Sequence, residues 1–256
     1  MAGSSGEDLR EVLANRYPVV DALEAGPRTR PELVSELGVS RSTIDRSISD
    51  LQEVECVGRE GHQYHLTGKA RASLKLYQDY REITDTLADA GPLLNALLQG
   101  HTIDYRFLLD ADVYSSSNTP EIALEPAIEL LSDATRLQGT ASVVRKRYFD
   151  VIGERLHEGD FDLELVLTNG LLESIQVAHS EDFEKLTRAD TTAIYRTGEQ
   201  LPWATWLIES PDNCTAGITI YEDGGLKGTI ANDSTEAVEW LRTQYASRKV
   251  DALRVQ

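Results

Sequence analysis

The sequence predicts a two-domain chain of mixed α+β and α/β class. A small helical domain closed by a β-hairpin is joined by one long helix to a C-terminal layer of strands and helices. Three observations carry this expectation. The 256 residues exceed a single small module and suffice for two cores. From Pro18 to Val54, apolar residues recur at helical spacing between turn and cap residues. Beyond Leu98, strand-like runs alternate with helical ones, the pattern of an α/β layer.

Val19, Val20 and Leu23 form the first helical stripe, which Gly26-Pro27 stops. Thr29 with Glu32 makes a capping box ahead of Leu33, Val34 and Leu37. Gly38 supplies a turn and Ser40 a new N-cap. Short helix, glycine turn and second helix are spaced as a helix-turn-helix. In the second helix Ile44, Ile48 and Leu51 share one side, so Ser42, Arg46 and Ser49 project from the other, with Arg41, Thr43 and Asp45 around the N-terminal rim. That outward face is short, polar and hydroxyl-rich. It suits close approach to the major groove of double-stranded DNA, where Arg46 can contact guanine bidentately. The alternative is a solvated face of a three-helix bundle, which would more usually carry Glu and Lys.

A strand around Cys56-Val57, a turn at Arg59-Glu60-Gly61 and a return strand from His62 to Leu66 complete a hairpin wing. Thr67 to about Ala90 then reads as one long helix until Gly91-Pro92 breaks it. Its stripe of Ala70, Leu74, Tyr77, Ile83 and Leu87 either packs on its own chain or pairs with a copy in a homodimer. A palindromic operator would require the dimer.

Further on, "TIDYRFLLDADVY" and "ASVV" read as strands and "PAIELLSDATRL" as a helix. "FDLELVLT" is a buried-type strand running into the helical "NGLLESIQVAHSEDFEKLTR". "TAIYRT", "PWATWLIE" and "AGITIYEDGGLKGTIAND" follow as strands, the last folding back as an antiparallel hairpin. A closing helix runs from Ser234 to about Arg248, with Asp233 and Glu236 at its cap. The expected domains are therefore 1–68, a connecting and possibly dimerising helix over 69–100, and 101–256.

Charge narrows the function. Lys plus Arg number 25 against 43 Asp plus Glu, a formal net charge of −18 that repels phosphate backbones on average. Residues 28–75 escape this, with eight basic side chains against seven acidic. Acidic side chains throughout and scarce Lys suggest adaptation to molar salt, where the Debye length falls to about 3 Å and counterion release gains little. A DNA binder there should lean on close fit and base contacts. No basic, apolar leader opens the chain and no apolar run nears the roughly 20 residues a spanning helix needs, so a soluble cytoplasmic protein without a membrane partner is expected. Cys56 and Cys214 support neither a disulfide framework nor a zinc site. H-E-x-x-H, G-x-S-x-G and G-x-x-x-x-G-K-[ST] are all missing, so no catalytic residue, metal or cofactor is predicted.

The stretch "TRPELVSELGVSRSTIDRSISDLQEVECVGREGHQYHLTGKA" resembles the winged helix-turn-helix of archaeal transcription regulators, with Ala70 where their closing motif usually has Gly. That resemblance implies phosphate contacts by Arg59 and His62 at the wing tip. Residues 101–250 resemble the effector domain of FilR-type archaeal regulators and, more distantly, the sugar-sensing domain of TrmB-type regulators. The marks are "LLSDATRLQGTASVV", "VLTNGLLESI", "LPWATWLIES" and "YEDGGLKGTIANDSTEAVEWL", in that order after a winged helix. The TrmB-type domain looks like an inactive phospholipase D-like half-domain, whose chemistry would need His-x-Lys. None of His62, His65, His101, His157 or His179 has a lysine two residues later.

Together these imply a ligand-responsive, DNA-binding transcription regulator from a halophilic archaeon. A non-catalytic module whose winged helix binds protein is the alternative, and an unrecognised hydrolase the third reading. Open α/β sheets bind ligands beyond the carboxyl ends of their strands. "LELVL" runs there into Thr168-Asn169-Gly170, making Asn169 and Gly170 candidates for a small-molecule effector, with Arg145, Tyr195, Trp203 and Asn232 around the same cavity. Each has a plainer alternative: helix cap, surface charge, strand residue, core residue and turn former in turn.

Overall fold

A computed structural model describes residues 5–97, 100–116 and 120–255. Two compact units divide between Arg81 and Glu82.

The first unit runs α1 (Gly6–Glu24), β1 (Arg28–Thr29), α2 (Arg30–Leu37), α3 (Arg41–Glu53), β2 (Val57–Glu60) and β3 (Gln63–Leu66). Helix α1 starts well before Pro18, which lies inside it. Ser5 and Asp8 nucleate it: the Asp8 carboxylate accepts from the Ser5 backbone N–H at 2.8 Å, and the Ser5 hydroxyl accepts from that of Asp8 at 3.2 Å. The expected box at α2 is present, the Glu32 carboxylate accepting from the backbone N–H of Thr29 at 2.6 Å and from its hydroxyl at 2.8 Å. Those bonds, the backbone one foremost, hold the Glu32 carboxyl below the ordinary range. Gly38 ends α2 at φ 64°, and the Ser40 hydroxyl caps α3 by accepting from Thr43 N–H at 3.2 Å. Leu33, Ile44, Leu51, Leu66 and the tail of α1 form one core. The strands make a sheet of order β1-β3-β2. The wing turn is tighter than expected. Arg59 and Glu60 belong to β2, Glu60 pairs with Gln63, and Gly61-His62 make the turn.

Helix α4 (Gly68–Leu94) passes through Pro92, the residue expected to break it. Proline there removes only one hydrogen bond, within the last turn. The predicted stripe also divides. Leu74 is buried in the first core, which removes it from a dimer seam, and the half-buried Tyr77 ring lies 5.4 Å from Tyr17.

The second unit continues with α5 (Tyr105–Leu108), β4 (Asp112–Ser115), a short 3-10 turn at Pro120–Ala123, α6 (Glu125–Leu131) and β5 (Arg136–Ala141). Next come α7 (Lys146–Glu158), β6 (Asp162–Thr168), α8 (Asn169–Ala178), α9 (Ser180–Thr187) and β7 (Thr192–Thr197). It closes with β8 (Ala204–Glu209), β9 (Cys214–Glu222), β10 (Gly225–Asn232), α10 (Thr235–Val250) and β11 (Leu253–Arg254). Four expectations are corrected, the first being the strand read over "ASVV", where only Ala141 belongs to a strand and residues 142–145 form the irregular lead into α7. Within "TIDYRFLLDADVY" the Asp104 carboxylate caps the helical turn α5, accepting from Arg106 N–H at 2.9 Å. The helix read over "PAIELLSDATRL" stops at Leu131, and β5 begins at Arg136. Ser234, not Asp233, caps α10, its hydroxyl accepting from Ala237 N–H at 3.3 Å.

The strands form one mixed sheet of order β11-β7-β6-β5-β8-β9-β10-β4, with β5, β6 and β7 parallel. Asp223-Gly224, both at positive φ, turn β9 into β10 as the hairpin reading expects. Helices α6 to α9 cover one face through Leu137, Leu163, Leu167 and Ile194. Helices α5 and α10, with Ala90 and Leu93, cover the other through Val166, Leu207, Ile218 and Ile230.

Candidate functional site

Helix α3 presents its predicted face. Arg41, Ser42, Thr43, Arg46 and Ser49 are exposed, while Ile44, Ile48 and Leu51 are buried beneath them. Ser47 is buried too, because its hydroxyl donates back to Thr43 C=O at 3.0 Å and leaves no donor unmet. Two of the three carboxylates on this helix, Asp45 and Asp50, are engaged. Arg30 pairs with Asp45 and donates to the Tyr64 hydroxyl at 3.1 Å, and Arg16 pairs with Asp50 at 2.8 Å. Arg41 and Arg46 have no ion pair among the described residues, so the face carries uncancelled positive charge beside hydroxyls. On the wing, Arg59 Nε donates to Gly61 C=O at 2.9 Å and its guanidinium lies 5.7 Å from the Tyr64 ring centre. It braces the turn from the exposed side, next to exposed His62.

The predicted effector residues do not converge. Asn169 and Gly170 open α8 on the surface, where the Thr168 hydroxyl caps the helix by accepting from Leu171 N–H at 3.4 Å. The Asn169 amide lies beside Gly198. Arg145 is exposed at the start of α7. Tyr195 and Trp203 belong to the opposite face: Lys249 Nζ sits 4.7 Å over the Tyr195 ring, and Trp203 is buried edge-on to His101. Asn232 is a correction. It is 4% exposed, and its amide donates to Phe107 C=O at 3.1 Å and Leu109 C=O at 2.5 Å while its oxygen accepts from Ser234 N–H. Its pairing with Ala216, which pairs in turn with Leu207, sets it level with Glu164 and four strands from Thr168. Four spacings of about 4.8 Å separate it from that corner by roughly 19 Å across the sheet.

Residues 120–251, more than half of the chain, match the family described as the middle domain of methanogenesis regulatory protein FilR1. The chain belongs to the FilR1 middle-domain family. Residues 7–88 match a second family, the HVO_A0261 N-terminal domain. No curated protein matches the chain significantly. Among solved structures, TrmBL2, described as an archaeal chromatin protein with a novel mode of DNA binding, is 13% identical over 98% of this chain and 100% of its own, at a TM-score of 0.44. The S-adenosylmethionine-dependent methyltransferase SibL is 13% identical over 77% of this chain and 64% of its own, at 0.29. An O-methyltransferase family protein from Burkholderia thailandensis is 13% identical over 77% and 65%, at 0.26. None of these likenesses adds to the family assignment.

Two features of the FilR1-type unit escaped the sequence reading. On the α10 face, Glu164 Oε1 accepts from the Tyr245 hydroxyl at 2.9 Å and Gln138 Nε2 at 2.8 Å, and Oε2 from Lys249 Nζ at 2.6 Å. Burial pushes this carboxyl up, but the three bonds outweigh it and hold the group below the ordinary range. On the other face a cavity of about 90 Å³ lies between the sheet and α6 to α9, lined by Leu137, Leu165, Phe149, Ile152, Phe183 and Trp206 among others. No motif signals either feature, since each is assembled from single residues on separate elements.

Proposed function

We propose that the chain is a DNA-binding transcription regulator whose first unit reads duplex DNA with α3 and whose FilR1-type unit senses a small molecule. The observation that carries the reading is the α3 face: exposed Arg41, Ser42, Thr43, Arg46 and Ser49 beside carboxylates already paired with Arg30 and Arg16. Short hydroxyl side chains permit close approach to a groove, and unpaired guanidiniums supply the donors for phosphates and base edges. Arg59 and His62 take backbone contacts from the wing. The match of residues 120–251 to a regulatory protein's domain supports the same reading.

The regulator works as a homodimer. Helix α4 leaves Leu76 72% and Tyr80 63% exposed, and Ile83 and Leu87 continue the same four-three-four spacing, the repeat of a two-helix seam. The net charge of −18 supports function in high salt, the setting of a halophilic archaeon. The missing His-x-Lys pair supports sensing rather than phosphodiester chemistry. Binding of the full chain to a duplex selected from a random pool, compared with unselected duplex in molar salt, tests the reading. Equal affinity for both would overturn it.

A further inference from the structure

Native interiors leave few voids larger than a water molecule, so the cavity of about 90 Å³ on the α7 face is unusual. Its floor is low where the small residues Gly139, Ala141 and Ala204 line it, and a Cβ at Gly139 would stand 2.5 Å from Thr205 C=O. Its walls are apolar. The indole N–H on its floor is already met, Trp206 Nε1 donating to the Thr219 hydroxyl at 3.2 Å.

One end differs. Val143, Val144, Tyr148 and Tyr221 line it while half-buried, which places the mouth at the carboxyl ends of β5 and β9. Among the described residues neither phenol has a hydrogen-bond partner. Burial raises both hydroxyls above their ordinary value, so each stays a neutral O–H donor. Arg145 lies near enough to Tyr221 to oppose that rise, which brings a guanidinium to the same rim.

The geometry points to a binding site for a short-chain aliphatic carboxylate, its tail in the cavity and its head between Tyr148, Tyr221 and Arg145. A cavity of roughly 150 Å³ takes up benzene. This one is smaller, so it favours a short alkyl tail over a ring. Two O–H donors and one cation match a carboxylate's acceptors and charge, and a carbonyl or hydroxyl head would leave the cation unused. The inference rests on the ligand-sensing reading above and names the class of ligand.

Calorimetry on the full chain with sodium 3-methylbutanoate tests it, with acetate, benzoate and 3-methylbutanol as comparisons. Saturable one-to-one binding is expected for 3-methylbutanoate and at least about tenfold weaker binding for the others, which lack the tail, exceed the cavity or lack the charge. Tyr148→Phe and Arg145→Ala should each weaken it about tenfold while the ligand-free melting temperature holds, since the first removes only a phenol hydroxyl without a partner among the described residues and the second an exposed side chain. Ala141→Leu should fill the cavity and abolish binding; if that variant fails to fold, the two rim variants decide. No saturable binding, equal binding of acetate, or binding indifferent to both rim variants would overturn the site. DNA affinity, measured on the ligand-free chain, separates this outcome from failure of the regulator reading.

Discussion

At the scale of single residues, the proposed DNA-binding role assigns different tasks to Arg46 and Arg59. Arg46 projects from the middle of the exposed α3 face, whereas Arg59 is tied to the wing turn by its bond to Gly61 C=O. Arg46→Ala should cost about 1–3 kcal/mol on selected duplex and relax one operator position, while Arg59→Ala should weaken all duplexes alike. Fluorescence anisotropy on both kinds of duplex distinguishes them, and equal losses for Arg46→Ala would reverse the assigned orientation of α3. Glu164 makes a second, independent prediction about stability. Its carboxyl is depressed in the fold, so its contribution is present above the ordinary carboxyl value of 4.5 and is lost as pH falls through the lower folded value. Denaturation of the wild type should therefore become easier on acidification below that point, and Glu164→Gln should flatten this dependence. Parallel acid profiles in the two proteins would show that Glu164 is not the group responsible. How much of the candidate sites was legible divides along the same line. The α3 residues lie on one helix, whose period fixes their face from sequence alone. Asn169, Tyr195, Trp203 and Asn232 lie on separate elements, and the face and direction of each depend on strand order, which no local pattern encodes.

At the scale of elements, helices with local caps were readable and strands with hidden partners were not. Thr29, Glu32, Gly38 and Ser40 fix the bounds of α2 and α3 within a few residues of sequence. Strands β6, β7 and β8 announce themselves by runs rich in apolar, aromatic and β-branched residues. Strand β5 does not, because Gln138 and Gly139 interrupt its pattern, and Gly139 is needed only where Thr205 C=O crosses close by. Gly217 in β9 has the same kind of reason. The Trp206 ring lies flat on it, and a Cβ there would stand 2.0 Å from ring carbons. Overpacking of this kind costs about 1–3 kcal/mol, and the rigid ring, pinned by its bond to Thr219, has little room to yield. Gly217→Ala should therefore lower the midpoint of chemical denaturation and disturb Trp206 fluorescence. Wild-type stability in that variant would mean the ring moves freely.

At the scale of the whole molecule, the proposed homodimer turns on which side of α4 is already used. Leu74 belongs to the first core, so Leu74→Ala should destabilise that unit by about 2–5 kcal/mol. Leu76 and Tyr80 touch no such core and are among the most exposed large apolar side chains described. In a two-fold dimer each substitution counts twice, and burying one leucine side chain contributes about 1.5–3 kcal/mol. Replacing both Leu76 and Tyr80 by glutamate should then leave a folded monomer with an unchanged melting transition for the first unit. The consequence reaches DNA. A monomer keeps one α3 face and one half-site, so selectivity for a palindromic duplex over its isolated half should vanish while half-site binding persists. High salt sharpens the comparison, since it suppresses the long-range repulsion between two chains of net charge −18 and leaves apolar contact as the force holding them together. Light scattering in molar potassium chloride decides the matter: a wild-type monomer there would remove the seam, and a doubly substituted dimer would place it elsewhere.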